Sequence, residues 1–255
     1  MNELAGWINE TYPGIYVRNI EIGNGYEDSL FMPMNKQVEL FCQQIFSDEN
    51  LKDGFSLLGF SQGSLITRAA VQRCSFPNAY NLITLSGIHG GEFGIPYIEL
   101  LPPKLREFAT KYMYTDYVQK LISFAGYWRD PYQLDKYYTE SQFLSVINNE
   151  GKTRNETYRQ NLLKLNAFVM TYSDIDEIIS PLESGWFMSY GPNSLKVQLW
   201  NDSREFQEDL VGMRTHLDQG RLHTYISHCK HQDNPHKPNK EFLFKNIMQY
   251  FNNTL

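Results

Sequence analysis

Residues 57–65 read LLGFSQGSL. An apolar run, GFSLLGF over 54–60, leads into them, and ITRAAVQRC over 66–74 follows with apolar and polar residues at helical spacing. A short strand therefore turns directly into a helix expected from Gln62 to Arg73, with Ser61 at the turn. Gly59-Phe60-Ser61-Gln62-Gly63 fits G-x-S-x-G, the nucleophile elbow, in the strand–turn–helix setting that the motif requires. A strained turn would lift Ser61 above the sheet end, and glycine permits the close backbone approach. The helix would aim its first amides, the Gln62 N–H among them, at developing negative charge. A serine that merely caps the Gln62 helix is the plainer alternative, and the preceding strand argues against it.

Working outward, the chain alternates strand and helix. GIYVRNIEI (14–22) is β-like, MNKQVELFCQQIFSD (34–48) is helical, and NLITLSGI (81–88) is the next strand. The order predicts a mostly parallel sheet with helices on both faces. From about 90 to 165 the pattern changes to a Gly/Pro-rich stretch, HGGEFGIP, and then aromatic-rich helices without an evident strand. This predicts a helical, lid-like insertion over the sheet. AFVMTY (167–172), LKVQLW (195–200) and RLHTYIS (221–227) resume the strands, and a last helix is expected from Lys240 to Phe251. With no repeat or linker, residues 1–255 are expected to form one domain.

Composition narrows the function. The 255 residues are 42% hydrophobic and 20% charged with a net charge of -6, which disfavours nucleic acid or an anionic membrane surface as partner. No apolar run is long enough to span a bilayer, and the N-terminus lacks the pattern of a signal peptide. The 17 Tyr and 16 Phe serve either a core or an apolar ligand groove. Cys42, Cys74 and Cys229 make an odd count that decides nothing about redox compartment, and sequons at Asn9, Asn155, Asn201 and Asn252 hint only weakly at secretion.

A nucleophilic serine needs a base and a group that orients it, in the order Ser, acid, His for this type of fold. AFVMTYSDIDEIISP offers Asp174, Asp176 and Glu177 after a strand, and YISHCKHQDNPH offers His228, His231 and His236, with His216 and His223 upstream. His228 directly follows the strand, where a loop above the sheet would begin. A zinc site at His228, His231 and His236 is disfavoured by the intervening proline and the lack of cysteine partners.

The blocks GFSQG with RAAVQRC, NLITLSGIHGGEFGIP, YWRDP, FLSVINNE, NETYRQNLLKL, FVMTYSDIDEIISPLESGWF and ISHC together resemble the palmitoyl-protein thioesterases, lysosomal α/β-hydrolases that cleave long-chain acyl thioesters. The resemblance implies Ser61 as nucleophile, the Gln62 amide as oxyanion donor, Asp176 rather than Asp174 as the acid, and His228 as the base. It also implies a Cys42–Cys74 disulfide, glycosylation at Asn155, and a lysosomal or secreted protein that is a monomer. No metal or organic cofactor is implied. The substrate would be a fatty-acylated protein, a peptide or acyl-CoA, with its chain against aromatics such as Phe93, Tyr127 and Trp128; ordinary core packing is the competing reading of these three. Ser64 stands where the family has glycine. The family sheet also begins with a strand and a Gly-rich oxyanion loop that this chain lacks, so the first strand is expected to be missing. The competing functions are a lipase or carboxylesterase with the same triad, and a catalytically impaired acyl-binding remnant.

Overall fold

The computed structural model describes residues 1–94 and 111–252. Its centre is a four-stranded sheet of β1 (Phe55–Phe60), β2 (Ala79–Leu85), β3 (Ala167–Ser173) and β6 (Leu222–Ser227), in that spatial order. All three pairings are parallel, as the alternation of strands and helices requires. Side chains alternate between two apolar layers. Leu82, Phe168 and Met170 face one side, with α3 (Met34–Phe46) and α4 (Gln62–Cys74) packed on it through Val38, Phe41, Leu65 and Ala69. Ile83, Leu85 and Val169 face the other, covered by α1 (Asn2–Thr11) and the C-terminal helical segment through Leu4, Trp7, Leu243 and Ile247. The protein is thus an α/β fold with a parallel sheet buried on both faces.

Four sequence expectations need correction. Residues 14–22 form no strand: Ile15 and Val17 pack on one apolar layer, Ile20 and Ile22 on the other, and no ladder joins them to β1. Residues 195–200 contribute only β5 (Val197–Gln198), paired antiparallel with β4 (Ser189–Tyr190) outside the main sheet. Leu195 and Leu199 remain exposed, so no buried face selects a longer strand. The last helix is α-helical only over Lys240–Phe242, then widens to a π turn over Leu243–Ile247 and tightens to a 3-10 turn over Met248–Phe251. This winding buries Leu243, Ile247, Met248, Tyr250 and Phe251 together against the sheet. Finally, α4 runs one residue beyond Arg73, to Cys74.

Part of the expected insertion, 95–110, lies outside the described residues. Its described remainder is built of short helices, Asp116–Gln119, Leu134–Glu140, Leu144–Ile147 and Glu156–Leu163, with a 3-10 turn over Phe124–Tyr127. Buried polar contacts fasten it to the sheet layer. Arg68 of α4 donates to Asn148 Oδ1 at 2.8 Å, and Gln72 donates to the Ile147 carbonyl at 2.6 Å. Arg129 lies 3.0 Å from Glu150 and 2.9 Å from Glu205, all three nearly inaccessible. A buried guanidinium between two carboxylates holds this corner in one arrangement, because losing any partner strands a charge.

The disulfide expected from the resemblance is present, joining Cys42 of α3 to Cys74 at the end of α4 with their Cα atoms 6.4 Å apart. Closing a loop of this length contributes about 3–4 kcal/mol in the chain-entropy model. Cys229 is free and buried. Thiol labelling of denatured, unreduced protein is expected to modify one cysteine per chain; three would show that the bridge does not form in the native source.

His216 gives the fold a sign of pH dependence. It is fully buried, its Nε2 lies 2.9 Å from the Leu162 carbonyl, and its Nδ1 has no partner among the described residues. Nε2 must therefore carry the proton and the ring is neutral. Burial pushes its pKa down from 6.5 to about 4. Between those values the unfolded chain takes up a proton that the folded chain refuses, so stability falls as pH falls through the window, by about 3 kcal/mol in total. His216→Gln keeps a donor for Leu162 and should flatten the stability profile from pH 6.5 to 4, as read by denaturant titration; an unchanged slope would assign the acid sensitivity elsewhere.

Candidate active site

β1 ends at Phe60, α4 starts at Gln62, and Ser61 between them has φ 54° and ψ -126°. This is a backbone conformation that L-residues other than glycine rarely hold. The reason is the packing of α4 on β1. A Cβ on Gly59 would lie 2.5 Å from the Gly63 carbonyl oxygen, 2.5 Å from Thr67 Oγ1 and 2.6 Å from Ser64 Cα. Gly59 therefore has to be glycine, as the motif predicts. Gly63 does not: a Cβ there would meet nothing within 4 Å. Ser64, the departure from the family pattern, is fully buried and donates to the Gly59 carbonyl at 3.0 Å, a bond across the elbow that glycine could not make.

The imidazole that reaches Ser61 is that of His231, not His228. His231 Nε2 lies 2.9 Å from Ser61 Oγ, and His231 Nδ1 lies 2.7 Å from Asp176 Oδ2. The two side chains are only 3% and 1% exposed. His228 instead pairs with Asp174 at 2.7 Å on the surface, where the side chains are 74% and 49% exposed. The expectation for His228 fails because β6 ends at a buried Ser227 and the next side chain turns outward. Cys229 then anchors the chain through Ser173, which donates to its carbonyl at 2.5 Å and accepts from its N–H at 3.0 Å. A 3-10 turn over His231–Asp233 brings His231 back above the sheet.

Asp176 lies where the resemblance puts the acid. Its Oδ1 accepts from the Ile178 and Ile179 amides at 2.9 and 3.0 Å, which leaves Oδ2 aimed at His231. Burial alone would raise this carboxyl, but the hydrogen bond and charge of His231 and the two amides outweigh it and hold the pKa below the ordinary value. A carboxylate only accepts, so His231 Nδ1 carries the proton and Nε2 is free to accept from Ser61. Glu177 has a part that its sequence position did not show: Oε2 accepts from the His231 backbone N–H at 3.0 Å. The Phe60 ring packs on the imidazole with centroids 4.9 Å apart.

The Gln62 N–H is among the first amides of α4, which have no partner within the helix. Its side chain is locked, donating to Ser29 O and Gln37 Oε1, both at 3.1 Å, and accepting from Tyr127 Oη at 3.1 Å. Tyr127 therefore fixes the elbow from the insertion side, a contact that aromatic content alone could not show. Trp128 is fully buried and Phe93 packs against it at 5.1 Å, so Trp128 is core. Glu92 is 4% exposed. Burial, then the negative charge of Asp176, push its carboxyl well above the ordinary range.

The three histidines considered for zinc are dispersed onto three carboxylates, Asp174, Asp176 and Glu3. Among the described residues no helix is long and apolar enough to cross a membrane.

The family model for palmitoyl protein thioesterase matches residues 1–231. Palmitoyl-protein thioesterase 3 of Dictyostelium discoideum is 45% identical over 236 residues, covering 92% of this chain and 81% of that protein. Palmitoyl-protein thioesterase 1 of Caenorhabditis elegans is 33% identical over 231 residues, 88% of this chain and 77% of that protein. Human lysosomal thioesterase PPT2 is 29% identical over 223 residues, 86% and 72% of the two chains. Among solved structures, a lipase-esterase related protein from Clostridium acetobutylicum aligns over 96% of this chain and 89% of its own, with a TM-score of 0.43 and 12% identity. The match of the family model over most of the sequence, joined by the close relatives, shows that the chain belongs to the palmitoyl protein thioesterase family of thioester hydrolases.

Proposed function

We propose that the chain hydrolyses long-chain fatty acyl thioesters with Ser61 as nucleophile, His231 as general base and acid, and Asp176 as the group that orients the imidazole. The observation that carries this reading is the unbroken series of contacts from Asp176 Oδ2 through both ring nitrogens of His231 to Ser61 Oγ. Ser61 Oγ attacks the acyl carbonyl while His231 Nε2 takes its proton. Negative charge gathers on the carbonyl oxygen and is met by the Gln62 N–H at the positive end of α4. Collapse breaks the C–S bond, and the sulfur leaves with the proton from His231. Water then attacks the acyl-enzyme, gives a proton to His231, and the fatty acid departs as the proton returns to Ser61. Asp176 stays ionised and stabilises the imidazolium.

The acyl chain would lie between the sheet layer and the helical insertion of 90–165, near Phe93 and Tyr127. The acyl carrier would be a protein, a peptide or coenzyme A. A route through the oxidising ER lumen to the lysosome suits the Cys42–Cys74 bridge. Asn155 is compatible with glycosylation: it is exposed and caps the Glu156–Leu163 helix through Oδ1, at 3.0 Å from the Thr157 N–H.

Turnover of palmitoyl-CoA, beside p-nitrophenyl palmitate as the oxygen-ester comparison, tests this reading. Ser61→Ala and His231→Ala should each remove nearly all thioesterase activity, and Asp176→Asn should lower kcat by about 10⁴ through loss of the required tautomer. His228→Ala and Asp174→Asn should remain within a few-fold of the starting protein. If His228→Ala were the crippling change and His231→Ala mild, the assignment would be wrong. A faster rate on the oxygen ester would point to a carboxylesterase.

A further inference from the structure

Glu92 is a buried acid that the proposed hydrolysis does not use. It belongs to the segment 90–93, which is held from both sides. On one side runs the stretch after β3 that also carries Asp176. The Gly90 N–H donates to the Ser184 carbonyl at 3.0 Å, Ser184 Oγ to the Gly91 carbonyl at 2.7 Å, and the Phe93 N–H to the Ser180 carbonyl at 2.8 Å. On the other side runs the insertion, where the Glu92 N–H donates to the Tyr127 carbonyl at 3.0 Å and the Arg129 N–H to the Glu92 carbonyl at 2.9 Å. The packing is close: a Cβ on Gly90 would collide with the Met188 carbonyl. The backbone of Glu92 is thereby fixed where the Asp176 loop meets the insertion.

Its carboxyl is near the triad. The charge of Asp176 acts on it, and burial followed by the Glu92 carboxyl raises the Tyr127 phenol. Tyr127 Oη is the group that holds Gln62 Oε1 beside Ser61. Nothing in the fold answers this carboxyl: among the described residues it makes no hydrogen bond, although the residue is only 4% exposed. Trp128, bridged to Glu92 in parallel, repeats the situation, for its buried indole N–H has no partner among the described residues. Buried polar groups are ordinarily paired, and one left unpaired opposes folding. Two such groups side by side, next to a reaction site, mark a place where a ligand supplies the partner. We propose that Glu92 is a specificity-determining residue whose carboxyl hydrogen-bonds a hydroxyl on the substrate's acyl chain, close to the thioester carbonyl.

The inference rests on the proposed hydrolysis, which brings an acyl chain to this side of the elbow. Three features select a hydroxyl on that chain. Burial, then the charge of Asp176, favour the protonated carboxyl. A carboxylic acid offers a donor and an acceptor together, and a hydroxyl answers both. The surroundings are the aromatic residues Phe93, Tyr127 and Trp128, which suit a slender chain. A carrier protein or the nucleotide of coenzyme A is too bulky to reach a residue so enclosed. Finally, the carboxyl feels Asp176 and neighbours the tyrosine that braces Gln62, so the hydroxyl belongs on the first or second carbon after the carbonyl.

The test compares palmitoyl-CoA with its α-, β- and ω-hydroxy forms on the full chain, on Glu92→Gln and on Glu92→Leu. The α- or the β-hydroxy substrate should show a kcat/KM at least about tenfold above that of palmitoyl-CoA, and the ω-hydroxy form should not. Glu92→Gln keeps a donor and an acceptor and should preserve the preference. Glu92→Leu should abolish it, lowering kcat/KM for the hydroxy substrate and raising it for palmitoyl-CoA. Binding is read separately on Ser61→Ala: α- or β-hydroxypalmitate should raise Tm more than palmitate does, and adding Glu92→Leu should remove the difference. No turnover of any thioester, with the binding difference intact, would overturn the hydrolysis and still support Glu92 as a hydroxyl site. The proposal is overturned if the hydroxyl brings no advantage in turnover or binding, if Glu92→Leu leaves the substrate ratio unchanged, or if the ω-hydroxy form gains equally.

Discussion

The first two turns of α4 lie so near β1 that a single methyl group on Gly59 would collide with three of their atoms, the nearest at 2.5 Å. That closeness forces the chain to reverse within one residue, and Ser61, at φ 54°, absorbs the reversal. A non-glycine residue in this region costs on the order of 1–3 kcal/mol, which the surrounding packing has to supply. It comes from both sides: the Ser61 N–H donates to the Leu85 carbonyl at 3.0 Å, and Ser64 Oγ donates to the Gly59 carbonyl. Buried α4 residues Leu65, Ala69 and Ala70 complete the clamp against the sheet layer. The rest of the site is arranged around a serine that cannot turn away.

The histidine is fixed by a second set of constraints, distributed over the loops that follow β3 and β6. Asp176 spends one oxygen on two amides and the other on the ring, Glu177 holds the His231 N–H, and Asn234 donates to the His231 carbonyl at 3.0 Å. Backbone, ring and tautomer are thus set by different residues. The outer pair Asp174–His228 repeats the same carboxylate–imidazole contact without any of this support, and solvent reaches both members. Exposed pairs of that kind contribute little, in contrast to the enclosed one. Two similar Asp–His pairs run side by side on the same two loops, and burial together with these supporting hydrogen bonds separates them.

How far the sequence carried depends on whether the deciding contact is local. The strand–elbow–helix around Ser61 was legible because its cause lies within five residues, and the buried alternation of β2 and β3 because it is periodic. Asp176 was legible through the resemblance, counted without gaps across the loop. His231 was not. Its selection depends on Cys229 being drawn inward by Ser173, a contact between residues 56 positions apart. Residues 14–22 have the alternation of a strand, but among the described residues no strand pairs with them, so the pattern forms no ladder. The locking of Gln62 by Tyr127 and the π-helical winding near the C-terminus likewise arise from packing across the fold.

The central claim is that Ser61 is activated by His231 within an enclosed relay that excludes His228. Reaction with a long-chain alkyl fluorophosphonate, followed by mass spectrometry of the proteolytic digest, reads that claim directly. The account predicts one equivalent of label, on the peptide that contains Ser61, formed at nearly the same rate in His228→Ala and only negligibly in His231→Ala. Label on another residue, or on Ser61 at an undiminished rate in His231→Ala, would contradict it.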